Sequence, residues 1–410
     1  MKAKPTGPIP AGWKSLGGEL AIAGRTASDI LAEAGETPLF IYSRELIDRR
    51  IAQLRAALPG RIGINYAVKA NPFAPVIEHM TPHVDGFDIA SQGELRMVMQ
   101  AGIDPDRVSF AGPGKRDREL AAAIETGVTL NCESEGEAER TLAIANGLGH
   151  RPRIAIRVNP DFELRGSGMK MGGGAKPFGV DADRVAPLAR RVIEAGAQWR
   201  GLHIFTGSQA LSAEAIIEAQ SNVLNLAARL TEAIDAPLPK LNMGGGLGIP
   251  YFPGDEPLDL TAIGDALSAR LQSLPPMLAE TELCLELGRY LVGEAGVYLC
   301  RVIDRKVSYG TTYLVTDGGL HHQLAASGNF GTVVRRNYPV AIATRFDQEP
   351  AEIVNIVGCL CTPLDRLADQ VTMPEAGVGD IVAVFCAGAY GATASPAAFL
   401  GHGPAREMLL

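Results

Sequence analysis

Apolar positions along the chain fall into two textures. From about residue 62 to 292, short β-prone apolar segments alternate with polar or glycine-rich turns and with longer stretches at helical spacing. The pattern predicts strands at 62–70, 86–91, 107–111, 129–133, 153–159, 201–206, 240–243 and 283–291. Helices such as 182–197 and 213–234 lie between them. Eight strands alternating with helices fit a parallel (β/α)8 TIM-like barrel better than an open doubly wound sheet, although spacing alone does not show closure. Past Arg289 the texture changes. Strands are predicted at 297–306, 312–316, 339–343, 353–357 and 381–385 with little helix between them, which is the signature of a β domain. A strand-like stretch at 19–23 is assigned to the same domain. The expected organisation is an N-terminal segment 1–40 joining the β domain, a barrel over 41–292, and a C-terminal β domain over 293–410. The glycine-rich stretch 168–179 follows a barrel strand and suits a mobile lid or a plain surface loop.

Composition narrows the classes. Of 410 residues, 46% are hydrophobic and 20% charged, enough for a sizeable core. Acidic residues outnumber basic ones, 46 to 38, and the net charge of −8 leaves no footprint for nucleic acid or an anionic membrane. Cysteines stand at 132, 284, 300, 359, 361 and 386 with no C-x-x-C pair, and no histidine cluster completes a zinc set by spacing, so no metal is expected. They read as reduced thiols of a cytoplasmic protein. The first 13 residues carry prolines and no apolar core, unlike a signal peptide. The uncharged stretch 381–400 has about the length of a membrane span, but Gly388, Gly391, Ser395 and Pro396 break it. It reads as a buried strand and a turn, and no membrane association is expected.

In a parallel barrel, chemistry gathers at the C-terminal ends of the strands. Those ends carry Lys69, Asp88, residues 112–115, Glu133, Arg157, Ser208, the run Gly244, Gly245, Gly246, and Glu286 with Arg289. Lys69 projects into the barrel mouth, where desolvation would free its amine as a nucleophile for an aldehyde; a snorkelling strand-end lysine fits equally. Gly244-Gly-Gly-Leu-Gly248 offers open backbone N–H groups to a phosphate, or simply makes a tight turn. Ile249 rules out a Rossmann fingerprint, and there is no Gly-Lys-Ser/Thr of a P-loop. Glu286 could keep a pyridine nitrogen protonated and Arg289 could hold a phosphate, unless the two form an internal ion pair. Cys361 and Tyr390, both in the β domain, are unremarkable alone.

Together these segments resemble the pyridoxal-phosphate (PLP) dependent decarboxylases of the diaminopimelate, ornithine and arginine type, the fold-type-III class. The likeness runs from about Glu19 to Ala392. Tyr66-Ala-Val-Lys-Ala-Asn71 resembles the family's Schiff-base motif, which makes Lys69 the cofactor lysine. Gly86-Phe-Asp-Ile-Ala-Ser91, carrying Asp88, matches the next strand, and Arg157 matches the arginine near the ring hydroxyl. Gly207-Ser208-Gln209, Gly244 to Gly246 and Arg289 match the phosphate cradle, Glu286 the pyridine partner and Tyr390 the phosphate-side tyrosine. Cys361 matches the cysteine that reaches the other subunit's site in a homodimer. The departures are as informative. Phe205 stands where the family has a ring-stacking histidine, with His203 two positions earlier. Thr362 stands where an acidic residue normally anchors a distal ammonium. Arg335-Arg336-Asn-Tyr-Pro339 occupies the region of the missing Arg-Pro-x-x-Tyr substrate motif. This combination is most similar to the subgroup associated with exosortase A and exopolysaccharide clusters.

The resemblance implies a cytoplasmic PLP-dependent carboxy-lyase that removes the α-carboxylate of a free or carrier-bound amino acid. Lys69 would hold the cofactor and Cys361 would donate the proton, with Thr362, Arg335 and Arg336 near the substrate. A fold-type-III racemase and a non-catalytic PLP carrier are the alternatives. The Cys361 segment and the Gly244–Gly246 run favour the decarboxylase over the first, and the second has no β domain.

Overall fold

The computed structural model describes residues 2–166, 168–328 and 336–410, and for Met169 and Lys170 the backbone. The chain divides into two compact units. One comprises Ile51–Gly248 and Pro257–Gly288; the other comprises Met1–Arg50, Ile249–Glu256 and Arg289–Leu410.

The first unit is the barrel. Its strands are β1 (Ile62–Ala67), β2 (Gly86–Ile89), β3 (Val108–Phe110), β4 (Thr129–Cys132), β5 (Arg153–Asn159), β6 (Gln198–Ile204), β7 (Lys240–Asn242) and β8 (Glu282–Leu287). Each pairs in parallel with the next. The last, β8, returns to β1, from Leu283 opposite Ile62 to Leu287 opposite Tyr66, so the sheet closes. Closure decides for the barrel over the open sheet. Strands covered on both faces need continuous apolar runs, and β2 and β4 are buried at every position. The helix Ala182–Glu194 turns Val185, Ala186, Leu188, Ala189 and Val192 inward, the stripe expected of a helix covering a sheet.

Most strands end a few residues sooner than the pattern predicts, and at two of them the early end matters. The chain leaves β1 at Ala67 and makes a 3-10 turn over Val68–Ala70, so Lys69 sits on a turn just past the strand. The predicted strand 283–291 breaks at Gly288, where a side chain would run into the carbonyl of Ala67 and Cβ of Ala70. Glycine there lets β8 pass close beside the Lys69 turn. A repeated device fixes two other strand ends. After β2, Ser91 Oγ accepts from Glu94 N (3.1 Å), while Glu94 Oε2 accepts from Ala90 N (2.6 Å). After β4, Ser134 Oγ accepts from Glu137 N (3.1 Å), and Glu137 Oε2 accepts from Glu133 N (3.0 Å). These reciprocal caps lock each strand-to-helix turn, and with it the aim of Asp88 and Glu133.

The second unit is built on a mixed sheet. Its long strand Gly296–Ser308 pairs antiparallel with Ile381–Phe385 and Leu39–Tyr42 through its first half and with Thr311–Thr316 through its second. Glu352–Val357 and Arg366–Met373 extend the sheet beyond Thr311–Thr316, and Arg406–Leu409 pairs with Leu39–Tyr42. The N-terminal strand that enters the sheet is therefore Leu39–Tyr42. The predicted stretch at 19–23 belongs to the same unit but makes its own sheet, Glu19–Ile22 between Lys14–Leu16 and Arg25–Thr26. A local turn at Gly17 and Gly18, both at positive φ, joins it to Lys14–Leu16. No helix among the described residues is long and apolar enough to cross a membrane.

Candidate active site

Lys69, Glu286 and His203 come together at the ends of β1, β8 and β6. Lys69 Nζ donates to Glu286 Oε1 at 3.2 Å. The turn that carries the lysine is fixed by Tyr66, whose hydroxyl donates to the Asn71 carbonyl (2.8 Å), and by Phe73 N donating to Asn71 Oδ1 (3.1 Å). The Lys69 side chain is 43% exposed, so the desolvation expected of it is not what the structure shows; a carboxylate beside it is. Glu286 is buried, and its other oxygen lies 3.0 Å from His203 Nε2, off the line of a well-formed hydrogen bond. Burial alone would raise the Glu286 carboxyl. Lys69, His203 and Arg157 outweigh it and hold the group well below the usual carboxylate range. His203 is itself buried, which lowers its proton affinity and favours a neutral ring.

Asp88 goes the other way. It is buried at the end of β2, with Asn242 Nδ2 donating to its Oδ1 at 3.4 Å and no hydrogen bond to Oδ2. Burial, and then the nearby Glu286 charge, push its carboxyl up to about 8. Two carboxyl groups in one barrel mouth are thus held in opposite states near neutral pH, one ionised and one protonated.

Arg157, on β5, donates to Glu133 Oε1 at 2.9 Å. Glu133 also accepts from Gly112 N (2.5 Å) and Gly179 N (3.2 Å), joining three segments of the rim. The Arg157 guanidinium lies over the rings of Phe178 (5.0 Å) and Phe205 (6.0 Å), and Lys69 Nζ lies 5.6 Å from the Phe205 centroid. Phe205 is therefore in the mouth, two residues along the chain from His203. The run 244–246 passes close to both neighbours: a Cβ on Gly244, already at φ +72°, would strike the Ile204 carbonyl and Phe205 Cα, and one on Gly245 would strike the Glu286 carbonyl. Gly244 O accepts from Glu286 N (2.8 Å), which ties the run to β8. Ser208 is partly exposed, and its backbone pairs with Met169.

The β-rich unit carries the other predicted residues. Arg289 donates to Tyr251 Oη at 2.9 Å, and its guanidinium lies 4.7 Å from the centroid of Tyr390, while its Nε has no hydrogen bond. Tyr390 takes a left-handed backbone (φ 59°). Cys361 is exposed on the loop 358–365. That loop folds around Asp365, whose carboxylate accepts from Leu320 N (2.7 Å) and Leu360 N (2.8 Å); a Cβ on Gly319 or Gly358 would collide with it. Thr362 Oγ1 accepts from Leu364 N at 3.3 Å. Arg336 is exposed and lies 3.8 Å over Phe252, and Arg335 lies outside the described residues.

Sequence reasoning listed Glu133 among the strand ends without a task, and passed over Asp365 and Tyr251. For His203 a signal existed, since it stands two residues before Phe205 and alternation along a strand puts such positions on one face. The residues present fit pyridoxal phosphate on their own evidence. There is an amine within reach of an ionised carboxylate, and a buried Glu286 oxygen without a hydrogen bond.

Residues 44–293 match the family described as pyridoxal-dependent decarboxylase, pyridoxal binding domain. The chain is 34% identical over 385 residues to the L-glutamyl-[BtrI acyl-carrier protein] decarboxylase of Niallia circulans, covering 92% of this chain and 90% of the relative. It is 33% identical over 383 residues to the diaminopimelate decarboxylase of Methanothermobacter thermautotrophicus, covering 91% and 86%. In structure it matches the diaminopimelate decarboxylase of Helicobacter pylori complexed with L-lysine, with a TM-score of 0.82 and 26% identity over 93% and 94% of the two chains. With the closed barrel and the β-rich unit described, and with these likenesses over most of its length, the chain belongs to the fold-type-III pyridoxal-phosphate-dependent decarboxylases, lyases that release the carboxylate of an amino acid.

Proposed function

We propose that this decarboxylase acts on an aminoacyl group with no free distal ammonium, such as a glutamyl group on a carrier protein. The observation that supports this reading is the 358–365 loop. Thr362 replaces the acidic anchor, and the loop's own carboxylate, Asp365, is turned inward onto Leu320 N and Leu360 N. A desolvated ammonium needs a carboxylate or an equivalent set of acceptors, and Thr362 offers one hydroxyl. The similarity to an enzyme named for a carrier-bound glutamyl substrate points the same way.

When bound, pyridoxal phosphate supplies a ring that accepts the electron pair released as the carboxylate leaves. Lys69 would hold it covalently through its amine. Ser208 and the run 244–246, with Arg289 and Tyr390 on the family pattern, would hold the phosphate. Glu286, kept ionised, would retain a proton on the ring nitrogen, and neutral Asp88 spares the mouth a second negative charge. Phe205 would cover one ring face, and Arg157, fixed by Glu133, would face the ring hydroxyl. The Cys361 thiol would carry the proton that returns to Cα.

The same reading makes the protein a cytoplasmic homodimer in which Cys361 completes the partner's site. An exposed Cys361 and six free cysteines support it. The test is CO2 release from free L- and D-amino acids, meso-diaminopimelate and carrier-loaded aminoacyl groups. Turnover confined to substrates without a distal ammonium is expected, and efficient release from meso-diaminopimelate would refute the assignment.

A further inference from the structure

We propose that His321, Cys359 and His402 form a binding site for a thiophilic divalent cation of the zinc class. The three come from separate segments of the β-rich unit: the turn after Thr311–Thr316, the loop after Glu352–Val357, and the approach to the last strand Arg406–Leu409. One ligand atom from each lies within 4.8 Å of the other two. Ligands at zinc bond lengths of about 2.0–2.3 Å stand about 3.5 Å apart in a tetrahedron, so closure needs shifts of about an ångström. Their positions, 38 to 81 residues apart in the chain, follow no spacing rule for metal motifs, which is why the sequence does not announce the site.

His321 carries the independent evidence. It is fully buried, yet neither ring nitrogen has a hydrogen-bond partner. A buried imidazole without partners is costly unless something takes its lone pair. Its ring lies 3.8 Å from that of His322 and 5.0 Å from that of His402. His322 is already engaged: Nδ1 is 3.0 Å from the Tyr298 hydroxyl and Nε2 is 3.0 Å from the Gly403 carbonyl. That second contact fixes the residue next to His402 and brings the third ligand to the cluster. Cys359 Sγ donates to the Asp317 carbonyl at 3.5 Å. Metal binding replaces that S–H with an S–metal bond and releases the proton to solvent.

Two imidazoles and one thiolate suit zinc rather than calcium or magnesium, and they leave the fourth tetrahedral position open. Occupancy would tie the C-terminal segment to the 358–365 loop two residues before Cys361, so the cation would govern how freely that loop moves.

The test is zinc titration of the chelator-treated holoenzyme in competition with a chromophoric chelator, followed by X-ray absorption at the zinc edge. One zinc per chain is expected, with one sulfur at about 2.3 Å and two imidazole nitrogens at about 2.0–2.1 Å. Cys359→Ser and His321→Ala should each lose stoichiometric zinc. His402→Gln, at an exposed position, should weaken it without disturbing the fold, as thermal unfolding would verify. Cys361→Ser should keep it. Absence of stoichiometric zinc, a sulfur ligand that survives Cys359→Ser, or loss of zinc in Cys361→Ser would each overturn the proposal.

Discussion

The barrel mouth and the 358–365 loop handle their charges in opposite ways. In the mouth, Glu286, Asp88 and Glu133 are buried and each is set against named neighbours, and for Glu286 and Asp88 packing decides the protonation state. In the loop, the Cys361 thiol is exposed, and the one carboxylate is buried on backbone N–H groups. Buried charges act strongly because little water screens them, which suits groups that set a cofactor's electronics. An exposed loop side chain has little such leverage, and it selects by what it offers or withholds. The difference teaches that changes in the mouth should reduce reaction with every substrate, whereas changes in the loop should alter which substrate reacts.

The largest effect belongs to Lys69. Lys69→Ala should bring CO2 release to background and abolish borohydride-stable attachment of the pyridoxyl group. Recovery of that group on another lysine by peptide mapping would break the comparison at its first point. Cys361→Ala should slow turnover by about 10²–10⁴-fold, the usual range for a lost proton donor. If Cys361 serves the partner's site, mixing Lys69→Ala with Cys361→Ala dimers after dissociation should restore activity, because each heterodimer regains one intact site. No recovery despite demonstrated exchange would place both residues in the same chain's site. Glu286→Gln should cost about 10²–10³-fold with all substrates alike, as for other fixed electrostatic partners, while cofactor attachment to Lys69 persists. A loss confined to one substrate would contradict its place in the mouth.

Asp88 gives the smallest and most specific effect, on stability against pH. Its carboxyl titrates near 8 in the folded chain and near the ordinary carboxylate value of about 4 when unfolded, so the native state holds the proton more tightly. The stability this lends is complete at low pH and is lost as pH rises from about 4 through 8. Asp88→Asn keeps the shape without the charge and should flatten that decline. Urea midpoints at pH 5 and pH 8 measure it, and an unchanged slope would show that Asp88 is ionised in the folded chain.

Much of the mouth was legible because a parallel barrel gathers function at strand ends, and period-2 alternation shows which side chains face inward. That reasoning reached Lys69, Asp88, Arg157 and Glu286. It did not reach the state of Lys69, because exposure depends on how the 3-10 turn leaves β1, and no local propensity marks that turn. Nor did it reach the contact of His203 with Glu286, which depends on the register of β6 against its neighbours. The sequence assigns Asp365 no task, because the room for its carboxylate comes from Gly319, 46 residues away, and from Gly358. Long-range packing, not local pattern, decides each of these.

The division of labour is tested most directly by exchanging the loop residue while watching both regions. In Thr362→Glu, kcat/KM for meso-diaminopimelate should rise relative to wild type, while borohydride trapping on Lys69 and the cofactor's absorbance stay unchanged. A wild type that already turns over meso-diaminopimelate efficiently, or a Thr362→Glu variant that loses cofactor linkage without any shift in substrate preference, would contradict the account.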